Sequence, residues 1–79
     1  MRIASLGSGS KGNATLVDTG ETLLLIDCGL TRKEAEDRLV ARGVSAGEID
    51  AILVTHEHGD HCRGVAALSS SYEIPVFLT

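Results

Sequence analysis

Residues 51–61 read AILVTHEHGDH, an apolar run that ends abruptly in histidines and acids. Ala51 to Thr55 is short, apolar and partly β-branched, the pattern of a buried strand. All three histidines of the chain follow within residues 56–61. Histidine and aspartate are standard ligands for zinc and similar ions. His56 and His58 are two apart, so in extended backbone their side chains point the same way. Gly59 permits a sharp turn that lets Asp60 and His61 face a second position close to the first. Glu57 points away from its two neighbours and is read as solvent-facing or supporting rather than as a ligand. Open α/β sheets place their sites at the C-terminal ends of strands, which is where this segment falls. The competing reading is a solvated surface cluster. The interleaved Asp60, the glycine and the preceding buried strand weigh against it.

Working outward, the elements are short and alternate quickly. Arg2 to Leu6 reads as a first strand, residues 7–13 (GSGSKGN) as a loop, and Ala14 to Val17 as a second strand. Asp18-Thr19-Gly20-Glu21 is a turn into a third strand, Thr22 to Asp27. That strand is nearly all apolar, as in strands covered on both faces. Thr31-Arg32-Lys33-Glu34 matches a capping box and opens a helix. Ala35, Leu39 and Val40 give the helix a narrow apolar stripe, Glu34 and Arg38 form an i,i+4 pair, and Gly43 ends it. Ser45 to Asp50 is a turn before the strand at 51–55. A second helix is expected from about Asp60 to Ser70, and a fifth strand over Pro75 to Thr79. The pattern predicts a mixed α/β layer.

Composition bounds the function. With 79 residues the chain holds one domain at most, and a chain this short has a marginal core unless a metal or partner helps. At 43% hydrophobic and 23% charged it is not a disordered sequence. No apolar run approaches the ~20 residues of a membrane span, and no secretory leader is visible. The net charge of −4 argues against gripping nucleic acid by bulk electrostatics, although bound cations can dominate a local field. The two cysteines, Cys28 and Cys62, read as free, small, buried residues of a reducing cytoplasm.

Gly7, Gly9 and Gly12 form a literal GxGxxG, and Asp27 lies at the spacing of a dinucleotide-binding fingerprint. A Rossmann unit needs a helix between them. Ala14 to Val17 is β-like and a turn follows at once, so a nicotinamide cofactor is not expected. The loop reads instead as a backbone nest able to meet a phosphate, with Ser10, Lys11 and Asn13 as substrate-binding candidates. Steric service to a tight strand connection is the equal alternative.

THEHGDH matches the HxHxDH signature of the metallo-β-lactamase fold, and LLLIDCG resembles that family's first motif, an aspartate ending a buried strand before glycine. Across the chain, SLGSGSKGNATLV, LLLIDCGL, DAILVTHEHGDHCRGVAAL and PVF resemble the branch of YycJ/WalJ-type proteins, candidate DNA exonucleases linked to cell-wall regulation. The resemblance implies the N-terminal portion of an αββα sandwich with a two-metal centre at one edge. His56 and His58 would bind the first ion, and Asp60 and His61 the second. A hydroxide bridging the ions would be the nucleophile, with Asp60 also orienting it as the catalytic residue. Asp27 is then a hydrogen-bond acceptor that fixes the metal loop, and the Thr55 hydroxyl does the same. The family completes its site with a further histidine, a bridging aspartate and a final histidine. No histidine follows His61 here and no aspartate follows Asp60.

Residues 1–79 are accordingly expected to be a single partial domain of a cytoplasmic metal-dependent hydrolase. Its cofactors are two divalent ions, zinc by preference, with manganese or iron also compatible with a His/Asp set. DNA is the leading substrate, cleaved at phosphodiesters. Hydrolysis of a thioester, lactone or β-lactam is the alternative chemistry, and a non-catalytic metal-binding fragment the alternative class. Isolated, the chain should expose apolar strand surface and self-associate.

Overall fold

Alternating apolar residues at each end of the glycine-rich loop let two strands share one buried face, and they pair antiparallel as β1 (Arg2–Gly7) and β2 (Ala14–Asp18). The computed structural model describes residues 1–7, 14–55 and 64–78. The turn after β2 is closed by the Asp18 carboxylate, which accepts the Gly20 N–H at 2.8 Å. Gly20 sits at φ +96°, where a side chain would be strained. β3 (Leu23–Ile26) returns antiparallel to β2. Helix α1 (Arg32–Ala41) and a short 3-10 turn (Ala46–Glu48) lead to β4 (Ala51–Val54), parallel to β3. Helix α2 (Val65–Tyr72) leads to β5 (Val76–Leu78), parallel to β4. The sheet order is β1-β2-β3-β4-β5. Residues of both helices join one core cluster with the sheet.

Register explains which residues meet those helices. Ala4, Leu16, Leu25, Ile52 and Val76 are cross-strand partners and share one face. Leu16, Leu25 and Ile52 form one core cluster with Ala35 and Leu39 of α1 and Val65 and Leu68 of α2. Leu25, Ile52, Leu39 and Leu68 are fully buried. On the opposite face the register aligns Ile3 with Val17 and Leu24, and Ile26 with Leu53 and Phe77. No helix lies there among the described residues, so Ile3 is 65% and Phe77 54% exposed. The third strand is therefore covered on one face, where Leu25 is buried, and not on both as expected, since Leu24 and Ile26 on the other face are half-buried.

Local signals in α1 act as the sequence predicts. Thr31 Oγ1 accepts the Glu34 N–H at 3.2 Å, and Glu34 Oε1 accepts the Thr31 N–H at 3.0 Å. This reciprocal cap satisfies two amides that the first turn leaves without helical partners. Gly43, at φ +76°, lets the chain leave past the C-cap Arg42. Val40 departs from its expected place in the stripe and is 70% exposed. Ala35 and Leu39, four apart, face the core, and one residue further rotates Val40 by about 100° away from it. Arg38 donates to the Leu6 carbonyl at 2.6 Å and ties the helix to β1, while Arg32 and Glu36 form an i,i+4 pair at 3.9 Å. Arg32 also donates to Ser71 Oγ at 2.8 Å, and the Tyr72 hydroxyl donates to Glu36, so the two helices are joined at their surfaces.

The parallel β3/β4 pair begins at an aspartate. Asp50 accepts the Leu23 N–H on its carboxylate at 2.7 Å, and its own N–H donates to the Leu23 carbonyl at 2.8 Å. Element boundaries otherwise move by a residue or two. The third strand stops at Ile26 instead of Asp27, and the fourth at Val54 instead of Thr55. The expected start of the second helix near Asp60 lies outside the described residues, as does Thr79. Among the described residues no helix is long and apolar enough to cross a membrane.

Leu25→Ala should cost about 2–5 kcal/mol by removing a fully buried side chain. Ile3→Ser on the open face should change stability by about 0.5 kcal/mol or less. Urea unfolding of the two variants measures both.

Candidate functional site

The strand directions gather particular chain ends at one end of the sheet. β1, β3 and β4 run the same way, opposite to β2. The end of β1 at Gly7, the start of β2 at Ala14, the end of β3 at Ile26 and the end of β4 at Val54 therefore lie together. Residues 8–13 and 56–63 connect to the sheet at this end. His56, His58, Asp60 and His61, and Ser10, Lys11 and Asn13, lie outside the described residues. Their expected roles are judged from what flanks them.

Asp27 is what flanks them first. It leaves β3 at φ +59°, in the left-handed region that costs a non-glycine residue roughly 1–2 kcal/mol, less for aspartate. Three hydrogen bonds hold it there. Its own N–H donates to the Leu53 carbonyl at 2.7 Å. Its Oδ1 accepts the Thr55 N–H at 2.8 Å, and its Oδ2 accepts the Thr55 hydroxyl at 2.6 Å. Asp27 is 9% exposed while Thr55 is exposed, so these bonds are partly shielded from water. Bonds to a charged acceptor are each worth about 1.5–3 kcal/mol, enough to outweigh the backbone strain. Both carboxylate oxygens thus accept from Thr55, a contact beyond the separate supporting roles expected of the two residues.

The chain returns from residues 56–63 at Gly64, which is buried and opens α2 by accepting the Leu68 N–H at 2.9 Å. The Gly64 N–H donates to the Cys28 carbonyl at 3.0 Å. One dipeptide, Asp27-Cys28, therefore bonds to both residues that border the histidine segment. The Cys28 thiol is fully buried and donates to the Leu30 carbonyl at 3.6 Å. Burial pushes it from 9.0 up to about 11. A neutral thiol is neither a nucleophile nor a metal ligand, so Cys28 is the small buried residue its type predicts. Cys62 lies outside the described residues. The role of Gly64 has no mark in the sequence beyond a glycine near a helix start.

Whether this end of the chain suits a metal rests on donor chemistry. Among the described residues no group of three or more histidines, cysteines and acids lies close enough to hold an ion. Residues 56–61 concentrate three imidazoles and Asp60, donor types that fit zinc or a similar divalent ion.

Comparison with known proteins gives consistent matches. The family model described as the metallo-beta-lactamase superfamily matches residues 7–79. An exodeoxyribonuclease YycJ of Bacillus anthracis is 39% identical over 77 residues, which cover 98% of this chain and 29% of that protein. A ribonuclease Z of Salinibacter ruber is 42% identical over 62 residues, covering 78% of this chain and 18% of that protein. Among solved structures, a metallo-β-lactamase of Cronobacter sakazakii superposes with a TM-score of 0.82 at 25% identity, covering 94% of this chain and 30% of that one. The chain thus spans less than a third of the length of these relatives.

The folded-state thiol of Cys28 ionises only near pH 11, whereas an unfolded thiol ionises from about 9.0. Its contribution to stability is full below pH 9 and is lost as pH rises through 11. Melting temperature followed from pH 8 to 11 should fall, and Cys28→Ala should fall less steeply over the same window.

Proposed function

Because the chain belongs to the metallo-β-lactamase superfamily, we propose that residues 1–79 form the N-terminal part of a metal-dependent phosphodiesterase that degrades DNA. The observation that carries this reading is the Asp27–Thr55 pair at the end of β4, one residue before a segment with the His56, His58, Asp60, His61 pattern. It supports a segment held in place for ligation. The exodeoxyribonuclease and ribonuclease names of the relatives support phosphodiester cleavage over other hydrolyses.

His56 and His58 are assigned to one divalent ion, and Asp60 and His61 to another. Such ions, when bound, lower the pKa of water to about 7 and offset the charge of a phosphate under attack. Zinc is the preferred ion for these ligands, with manganese or iron also compatible. Asp60 orients the attacking oxygen. Asp27 and Thr55 keep the start of the segment from moving when substrate arrives. Ser10, Lys11 and Asn13 leave the same end of the sheet between β1 and β2 and are assigned to the substrate phosphate. The half-open sheet, with Ile3, Val17, Leu24, Ile26, Leu53 and Phe77 along its uncovered face, supports residues 1–79 as one α/β half of an αββα sandwich. Without that cover, the isolated chain should self-associate through this face. The similarity to a β-lactamase structure favours a second reading, hydrolysis of a β-lactam, lactone or thioester at the same residues.

In the complete gene product, His58→Ala should lower metal-dependent DNA degradation by more than about 100-fold, beyond the loss expected for an outer supporting residue. Nuclease assays on linear DNA, with metal content measured in parallel, test this. Undiminished degradation by the variant contradicts the assignment. Turnover of a lactone or β-lactam with none of DNA favours the second reading. The 79-residue chain alone should show little turnover of either.

A further inference from the structure

The chain enters the histidine segment at Thr55 and leaves it at Gly64, and the two ends are held differently. At Thr55 the hold is a side chain, the Asp27 carboxylate. At Gly64 it is a backbone contact that only glycine permits. The Gly64 N–H reaches the Cys28 carbonyl at 3.0 Å. A Cβ at position 64 would lie 2.8 Å from Cys28 Sγ and would overlap the Leu30 carbonyl oxygen. The nearer obstacle is backbone, which no rotamer change relieves. Gly64 is not in a positive-φ conformation, with φ −89° and ψ −11°, so glycine is required there by close approach and not by backbone freedom.

We propose that Gly64 is a positioning residue for the metal ligands, the second of two anchors, with Thr55, that tie the borders of residues 56–63 to Asp27 and Cys28. The proposal rests on the assignment of His56, His58, Asp60 and His61 as ligands and adds what sets their spacing. Fixing both ends of an eight-residue segment removes much of the chain freedom that a metal would otherwise have to order. Asp60 and His61 lie nearest in sequence to Gly64, as His56 does to Thr55. A displaced Gly64 therefore acts first on the Asp60–His61 end. The buried Cys28 side chain forms part of the floor on which Gly64 rests, which gives a reason for a small residue at position 28 independent of thiol chemistry.

The test is metal binding by the 79-residue chain, with zinc affinity from chelator competition and cobalt(II) absorption as a spectroscopic signature of ligand geometry. Gly64→Ala should lower zinc affinity about 10-fold or more and change the cobalt spectrum while circular dichroism retains the α/β signal. If Gly64→Ala does not fold, a synthetic chain with an ester in place of the Gly64 amide removes the N–H and adds no atoms beyond the backbone. That variant should fold and bind zinc a few-fold more weakly. Zinc bound by neither the folded 79-residue chain nor the complete gene product overturns the ligand assignment and this inference with it. A wild-type chain that binds, alongside a folded variant of either kind with unchanged affinity and spectrum, overturns the role of Gly64 alone.

Discussion

The pair of hydrogen bonds from Thr55 to the Asp27 carboxylate decides where the parallel strands end and where the histidine segment begins. A parallel pair could in principle run on for another residue or two. Here Asp27 turns out of β3 at positive φ, its N–H still spent on Leu53, and its side chain takes the next amide of β4. The strand edge that would continue the ladder is replaced by a carboxylate. The cost of the left-handed conformation is met by bonds that are partly buried and charge-assisted. The same device in milder form starts the pair, where Asp50 accepts the Leu23 N–H. An aspartate at each end thus sets the length of the β3/β4 ladder, and only the one at the site end bears strain.

That corner has meaning because of what the topology brings to it. Antiparallel β1 to β3 and parallel connections through α1 and α2 bring the strand ends that border residues 8–13 and 56–63 to one end of one sheet. The helices cover one face and hold Leu16, Leu25 and Ile52 in a continuous core. The opposite face stays apolar and largely uncovered. Family membership gives this asymmetry a reason, since the matched relatives are more than three times the length of this chain.

Much of this was legible in the residues. The capping box of α1, the turn at Gly20 and the order of strands and helices follow from local patterns that tertiary contacts do not override. The link between Asp27 and Thr55 has no mark in the local sequence, because the two are 28 residues apart. Burial on the sheet was less so. TLLLID reads as doubly covered, but Leu24 and Ile26 lie on the face opposite the core and are half-buried. Val40 looks like part of a stripe, yet the helix turns it to solvent. Gly64 was least legible, because its constraint is the approach of Leu30 and Cys28 across the fold, which no local pattern records.

Amide hydrogen exchange in the wild-type chain and in Asp27→Ala tests most directly whether this corner fixes the start of the ligand segment. The account predicts that the variant exchanges the Thr55 amide about 10-fold faster or more, the loss expected for a bond to a charged acceptor, while the amides of Leu25 and Ile52 keep their protection. Equal protection of Thr55 in the two proteins would contradict it.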